Sequence, residues 1–125
     1  MTGIILLHIG SILIIMWGIG HIIPTKSVVD GFGQISEDNR RIITMEWIAE
    51  GLTLCFLGIL VLSVTLSGGS QSAVSKIVYW ISAAVLIIMA VLSSLTGART
   101  SIVQMKICPF VKTAVAILFF LGPVL

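Results

Sequence analysis

The chain has 125 residues, 58% of them hydrophobic and only 10% charged, with a formal net charge of +2 and a mean hydropathy of +1.19. A soluble domain carries about 25% charged residues, so lipid is the natural solvent for this composition; four long apolar segments leave no length for a separate soluble domain. The few basic residues are scattered, not gathered into Lys/Arg tracts, which argues against nucleic acid as a partner.

Segment one runs from about Thr2 to Ile23 and is stopped by Pro24, which cannot continue a helical hydrogen-bond ladder. It lacks the basic n-region and small-x-small cleavage site of a signal peptide and reads as a retained helix. Trp17 and His21 are four residues apart and share a face, whereas His8 points roughly 140° away from His21 on a helical wheel. Gly10, Ser11, Gly18 and Gly20 let a neighbouring backbone approach closely. The connection from Pro24 to Ser36 has turn chemistry at Asp30-Gly31, and its Val28, Val29, Phe32 and Ile35 suit either a cap on the bundle or ordinary exposure.

Segment two opens with a helix start signal. Ser36 suits the N-cap, Glu37 and Asp38 suit the positive end of the helix dipole, and Gly68-Gly69 ends the run. Counting back about 20 residues from Leu66 puts Glu46 at the membrane surface and Glu50 one turn deeper. Trp47, Gly51, Leu54, Gly58, Val61 and Thr65 form a stripe at helical spacing that reads as a packing seam. The short polar loop that follows makes segments two and three antiparallel neighbours.

Segment three runs from about Lys76 to Leu95, with Tyr79 and Trp80 where an interfacial aromatic belt belongs and a small-residue stripe at Ala83, Ala90, Ser94 and Gly97. Cys108-Pro109 opens segment four, with proline in a tolerated first turn and Lys112 able to snorkel to the headgroups. Cys55 and Cys108 have no CxxC and no histidine at metal-ligand spacing, so they read as unpaired thiols with no metal role.

The expected fold is all-α: one domain over residues 1–125, an integral membrane four-helix bundle of antiparallel up-down topology with helices at about 2–23, 37–67, 76–96 and 108–124. Lys26, Arg40, Arg41, Arg99 and Lys106 belong to loops one and three, against Lys76 alone on the other side. By the positive-inside rule loops one and three face the cytoplasm and both termini lie outside the cell membrane. His21, Glu46, Glu50, Arg99 and Lys112 then all belong at the cytoplasmic end, as candidates for a ligand or ion site. An ionisable group inside a membrane helix is costly, about 2.5–3.5 kcal/mol at the centre, and tends to face a cavity or a partner. The competing reading is structural: Glu46 and Lys112 at the interface, with Glu50 neutralised by His21 or Lys112.

GIGHIIP at the end of the first segment, followed by EWIAEGLTLCFLGILVL in the second, resembles the small four-helix DoxX-like membrane proteins. The resemblance covers the first half of the chain and rests on a glycine-rich first helix and an acid before a glycine, here Glu50-Gly51. It implies a four-helix membrane fold and an accessory or membrane redox role. Small multidrug-resistance transporters have a similar length, but they need a carboxylate in the first helix, which is absent; a proton-coupled transporter would have to use Glu50. No serine-histidine-acid arrangement, metal ligand set or phosphate loop points to an enzyme, and no cofactor is implied. The expected partners are the lipid bilayer and either a second copy or another membrane protein, since the small-residue stripes exceed what one four-helix core uses.

Overall fold

A computed structural model describes residues 1–125. It is all-helical: α1 Thr2–Ile22, a short α2 Thr25–Asp30, α3 Glu37–Leu66, α4 Ala73–Leu95, a single 3-10 turn Gly97–Arg99, and α5 Val103–Leu121. All but α2 and the 3-10 turn are long and apolar enough to cross a membrane.

Local chemistry accounts for the helix starts. Ser36 Oγ accepts the Asn39 N–H at 3.1 Å and Ser72 Oγ accepts that of Ser75 at 3.1 Å, satisfying amides that a helix N-terminus leaves unpaired. Gly68, at φ 79°, turns the chain beyond α3 in a conformation that suits glycine. Asp30 at the end of α2 accepts from Arg40 at 2.8 Å, tying the first connection to the start of α3.

Glycine governs the packing. A Cβ on Gly18 would lie 2.8 Å from the Gly51 carbonyl oxygen, and one on Gly58 would lie 2.8 Å from that of Ser11. The backbones of α1 and α3 are therefore in near contact along this seam. The pairs Ser11/Gly58 and Gly18/Gly51 fall in opposite sequence order, so the two helices run in opposite directions. Gly10 leaves room for the Phe119 ring, and Gly3 lies beside Gly122, which brings the two chain ends together at one end of the molecule. Leu7, Ile14, Leu54, Leu86, Val115 and Phe119 fill the interior between the four long helices.

Several sequence expectations change. The first connection contains α2, and its Val29 is buried. Tyr79 is fully buried, its hydroxyl 3.2 Å from Thr65 Oγ1, and belongs to the core instead of an interfacial belt. α4 packs chiefly on α5, and its contact with α3 is slight despite the short loop joining them; the seam that gathers α3 against α1 leaves α5 as the main partner of α4.

The largest difference concerns segment four. α5 starts at Val103, so Pro109 lies inside the helix. A proline there forfeits one backbone hydrogen bond, to Met105, while the added turn and a half buries Cys108 and rests Met105 against Gly97. Lys112 consequently moves from the first turn to the third.

Candidate functional site

Each long helix contributes one polar side chain to a single cluster. Glu50 precedes the seam glycine Gly51, so it is rotated about 100° from the α1 contact, toward α5. His21 follows Gly18 by one turn on the same side of α1 and is buried. Lys112 shares its face of α5 with Cys108, Val115 and Phe119, all buried, and carries its charge into the interior along that stripe. Ser93 continues the buried stripe of α4 one turn beyond Ala90.

The contacts are specific. Lys112 Nζ donates to Glu50 Oε1 at 2.5 Å and to Ser93 Oγ at 2.7 Å, and Ser93 Oγ donates onward to the Met89 carbonyl at 2.8 Å. The other carboxylate oxygen, Glu50 Oε2, lies 3.6 Å from His21 Nε2, just outside hydrogen-bonding distance. His21 Nε2 is buried and has no hydrogen-bond partner. Its ring is stacked on Trp47, with centroids 3.9 Å apart and planes at 16°, and the Trp47 indole N–H donates to the His21 backbone carbonyl at 2.7 Å.

Exposure is uneven across the cluster. The Lys112 side chain is 0% exposed and that of Glu50 34%. The exposed part of Glu50 reaches a shallow groove of about 210 Å³ lined by Ile42, Ile43, Glu46, Trp47 and Glu50. One cation is thus sealed in the interior while its partner carboxylate reaches the surface. A buried ammonium needs such a partner, because leaving it unpaired is strongly destabilising.

Of the five residues proposed from sequence, the structure brings His21, Glu50 and Lys112 together. Glu46 is exposed and shares only the groove. Arg99 is exposed in the 3-10 turn and makes no ion pair. Lys112 does not snorkel outward, because its stem lies on the core face of α5. His8 bonds within its own helix, Nδ1 to the Ile4 carbonyl at 2.8 Å. Two participants lie beyond the sequence expectation. Ser93 is legible only as the residue three beyond Ala90 on the buried face of α4, and Trp47, expected in a packing seam, also touches His21. No three His, Cys, Asp or Glu side chains come together as a metal site.

No family model, curated protein or solved structure matches the chain. The geometry of the cluster carries the functional reading.

Proposed function

We propose that this is a multi-pass cell-membrane protein of the DoxX-like kind, an up-down bundle with both termini outside, that acts as an accessory or ligand-binding protein through the Glu50 cluster at its cytoplasmic end. The observation that carries this reading is the asymmetry of the Lys112–Glu50 pair, 0% against 34% exposed. A buried pair that serves stability alone offsets its desolvation only when its geometry is good and its remaining lone pairs and protons are satisfied within the protein. Here Glu50 Oε2 accepts no hydrogen bond and belongs to the residue that reaches the groove. That free oxygen is what a polar ligand or a partner's side chain would engage, while Lys112 stays enclosed behind it.

A proton-coupled transporter using Glu50 would need a path through the bundle. Below the cluster Ile14, Leu54, Val61, Leu86 and Val115 are all fully buried and packed together, so this reading requires a second conformation. Binding at one end requires none.

The test is purification of the full chain from its native membrane in mild detergent, wild type beside Glu50→Gln, with co-purifying proteins and small molecules identified by mass spectrometry. Glutamine keeps an acceptor for Lys112, so the fold survives. The expected result is a component retained by the wild type and lost from the variant. Identical co-purification from both would overturn the reading.

A further inference from the structure

Arg99, left out of the Glu50 cluster, and Lys106 lie on two elements in contact with each other, the 3-10 turn and the start of α5. Arg40 and Arg41 are paired with Asp30 and Glu37, at 2.8 Å and 3.2 Å. Arg99 and Lys106 are exposed and have no carboxylate partner. The 3-10 turn carrying Arg99 packs against the start of α5, where Lys106 lies. From this corner an open groove of about 520 Å³ runs along the α4–α5 face, lined by Ser94, Ala98, Lys106, Pro109, Phe110 and Thr113.

The groove is less polar than its residue names indicate. Ser94 Oγ donates to the Ala90 carbonyl at 2.8 Å and Thr113 Oγ1 to the Pro109 carbonyl at 2.7 Å, so both hydroxyls direct their protons at their own helices. What faces outward is mostly carbon, including a Phe110 ring that is 76% exposed. A strip of apolar surface headed by two unpaired cations matches the two ends of one molecule, an acyl chain and an anionic headgroup.

We infer that the α4–α5 corner binds an anionic phospholipid, with the headgroup phosphate at Arg99 and Lys106 and an acyl chain along Pro109 and Phe110. The inference rests on the membrane placement proposed above and is independent of the Glu50 cluster. Charge selects the occupant: this end carries the excess of basic residues, and the leaflet that attracts such residues is the anionic cytoplasmic one. A zwitterionic lipid fills the groove equally well and offers the same phosphate, but its ammonium brings a positive charge beside the two cations and weakens the net attraction.

The experiment is native mass spectrometry of the full chain in detergent, titrated with phosphatidylglycerol or with phosphatidylcholine of the same acyl chains. The wild type should prefer phosphatidylglycerol by about tenfold or more, as expected for two basic groups near one anionic centre. The Arg99→Gln/Lys106→Gln double variant should bind both lipids alike. Arg40→Gln/Arg41→Gln removes the same charge elsewhere and should keep the preference. Ala98→Trp, which fills the groove without changing charge, should weaken phosphatidylglycerol binding. The inference is overturned if the wild type shows no preference, if the two double variants behave alike, or if Ala98→Trp binds as the wild type does. Glycerol phosphate displacing the lipid at equal concentration would also overturn it, by showing that the chain adds nothing. Phosphatidylcholine retention by every variant reports the membrane placement separately, so failure of that reading is distinguishable from failure at this corner.

Discussion

Lys112 Nζ and Glu50 Oε1 lie 2.5 Å apart across the interface of α5 and α3, and only the carboxylate side of the pair has exposed surface. Removing either partner therefore has unequal consequences. Glu50→Leu strands a fully enclosed ammonium and should destabilise by about 3–5 kcal/mol. Lys112→Met strands a carboxylate that retains access to the groove, and the loss should be clearly smaller. Replacing both, Glu50→Leu with Lys112→Met, removes the desolvated charges together and should come within about 1–2 kcal/mol of the wild type. Thermal unfolding of the three variants in one detergent checks the order. Equal losses for the two single variants would show that the difference in exposure has no energetic weight.

The α1–α3 seam makes a second prediction. A methyl on Gly18 would meet the Gly51 carbonyl oxygen at 2.8 Å and Cys55 Sγ at 2.7 Å, and a backbone atom cannot swing aside. Gly18→Ala must push the helices apart, with a loss of about 1–3 kcal/mol of packing. Gly20, on the same helix but off the seam, has nothing within 4 Å of where a methyl would stand. Gly20→Ala should be neutral or stabilising by up to about 1 kcal/mol, through helix propensity alone. The pair is read from melting curves recorded side by side, and a Gly20→Ala variant as unstable as Gly18→Ala would contradict the seam.

What the sequence made legible follows the strength of its periodic signals. The stripe Gly51, Leu54, Gly58, Val61 and Thr65 lies on the buried face of α3, because a long helix with one small-residue face has one way to pack closely. His21 and Glu50 were placed at the same end because one connection joins their helices. Lys112 departs from its expected place for a local reason: the preference of proline for a helix's first turn is weaker than the tertiary packing of Met105 and Cys108. Lys112 shares a face with Val115 and Phe119 wherever the helix starts; starting α5 at Val103 adds Cys108 to that face and moves Lys112 away from the helix end, and the buried charge becomes visible. The pairing of α4 with α5 had no signature in loop length. Much of the small-residue stripe on α1 is occupied within the chain, with Gly10 against Phe119 and Gly18 against Gly51, so self-association rests on what remains exposed.

Trp47 provides a third prediction, since it holds His21 in two ways. Its ring stacks on the imidazole, and its N–H satisfies a carbonyl in the last turn of α1 that the helix itself leaves unpaired. Trp47→Phe keeps a ring and loses the hydrogen bond, for about 1 kcal/mol. Trp47→Ala loses both and should cost about 3–5 kcal/mol, less whatever the partial exposure of the indole returns. Chemical denaturation monitored by helical circular dichroism separates the two. If Trp47→Phe equals Trp47→Ala, the hydrogen bond and not the stack positions His21.

The last prediction concerns sidedness. The two chain ends meet at Gly3 and Gly122, so they share one end of the molecule, while Ser36 lies between α2 and α3 and Gly69 between α3 and α4. Lys26 lies in α2, Arg40 and Arg41 in the first two turns of α3, Arg99 in the 3-10 turn and Lys106 in the first two turns of α5, with Lys76 alone at the start of α4. The positive-inside rule counts basic residues in short loops near helix ends, where each of these lies, and it gives acids little weight, so Glu37 and Asp38 do not offset the bias. Arg40 is fixed to Asp30 at 2.8 Å, which holds that connection compact at the helix ends, and α3 at about 45 Å is longer than a hydrocarbon core of roughly 30 Å, so in the proposed placement its charged first turns would project beyond the lipid. In a variant with Cys55 and Cys108 replaced, a cysteine at Gly69 should react with an impermeant maleimide on intact cells. A cysteine at Ser36 should react only after permeabilisation. The reverse pattern would put the Glu50 groove on the outer face and turn its candidate ligand from a cytoplasmic one into an external one.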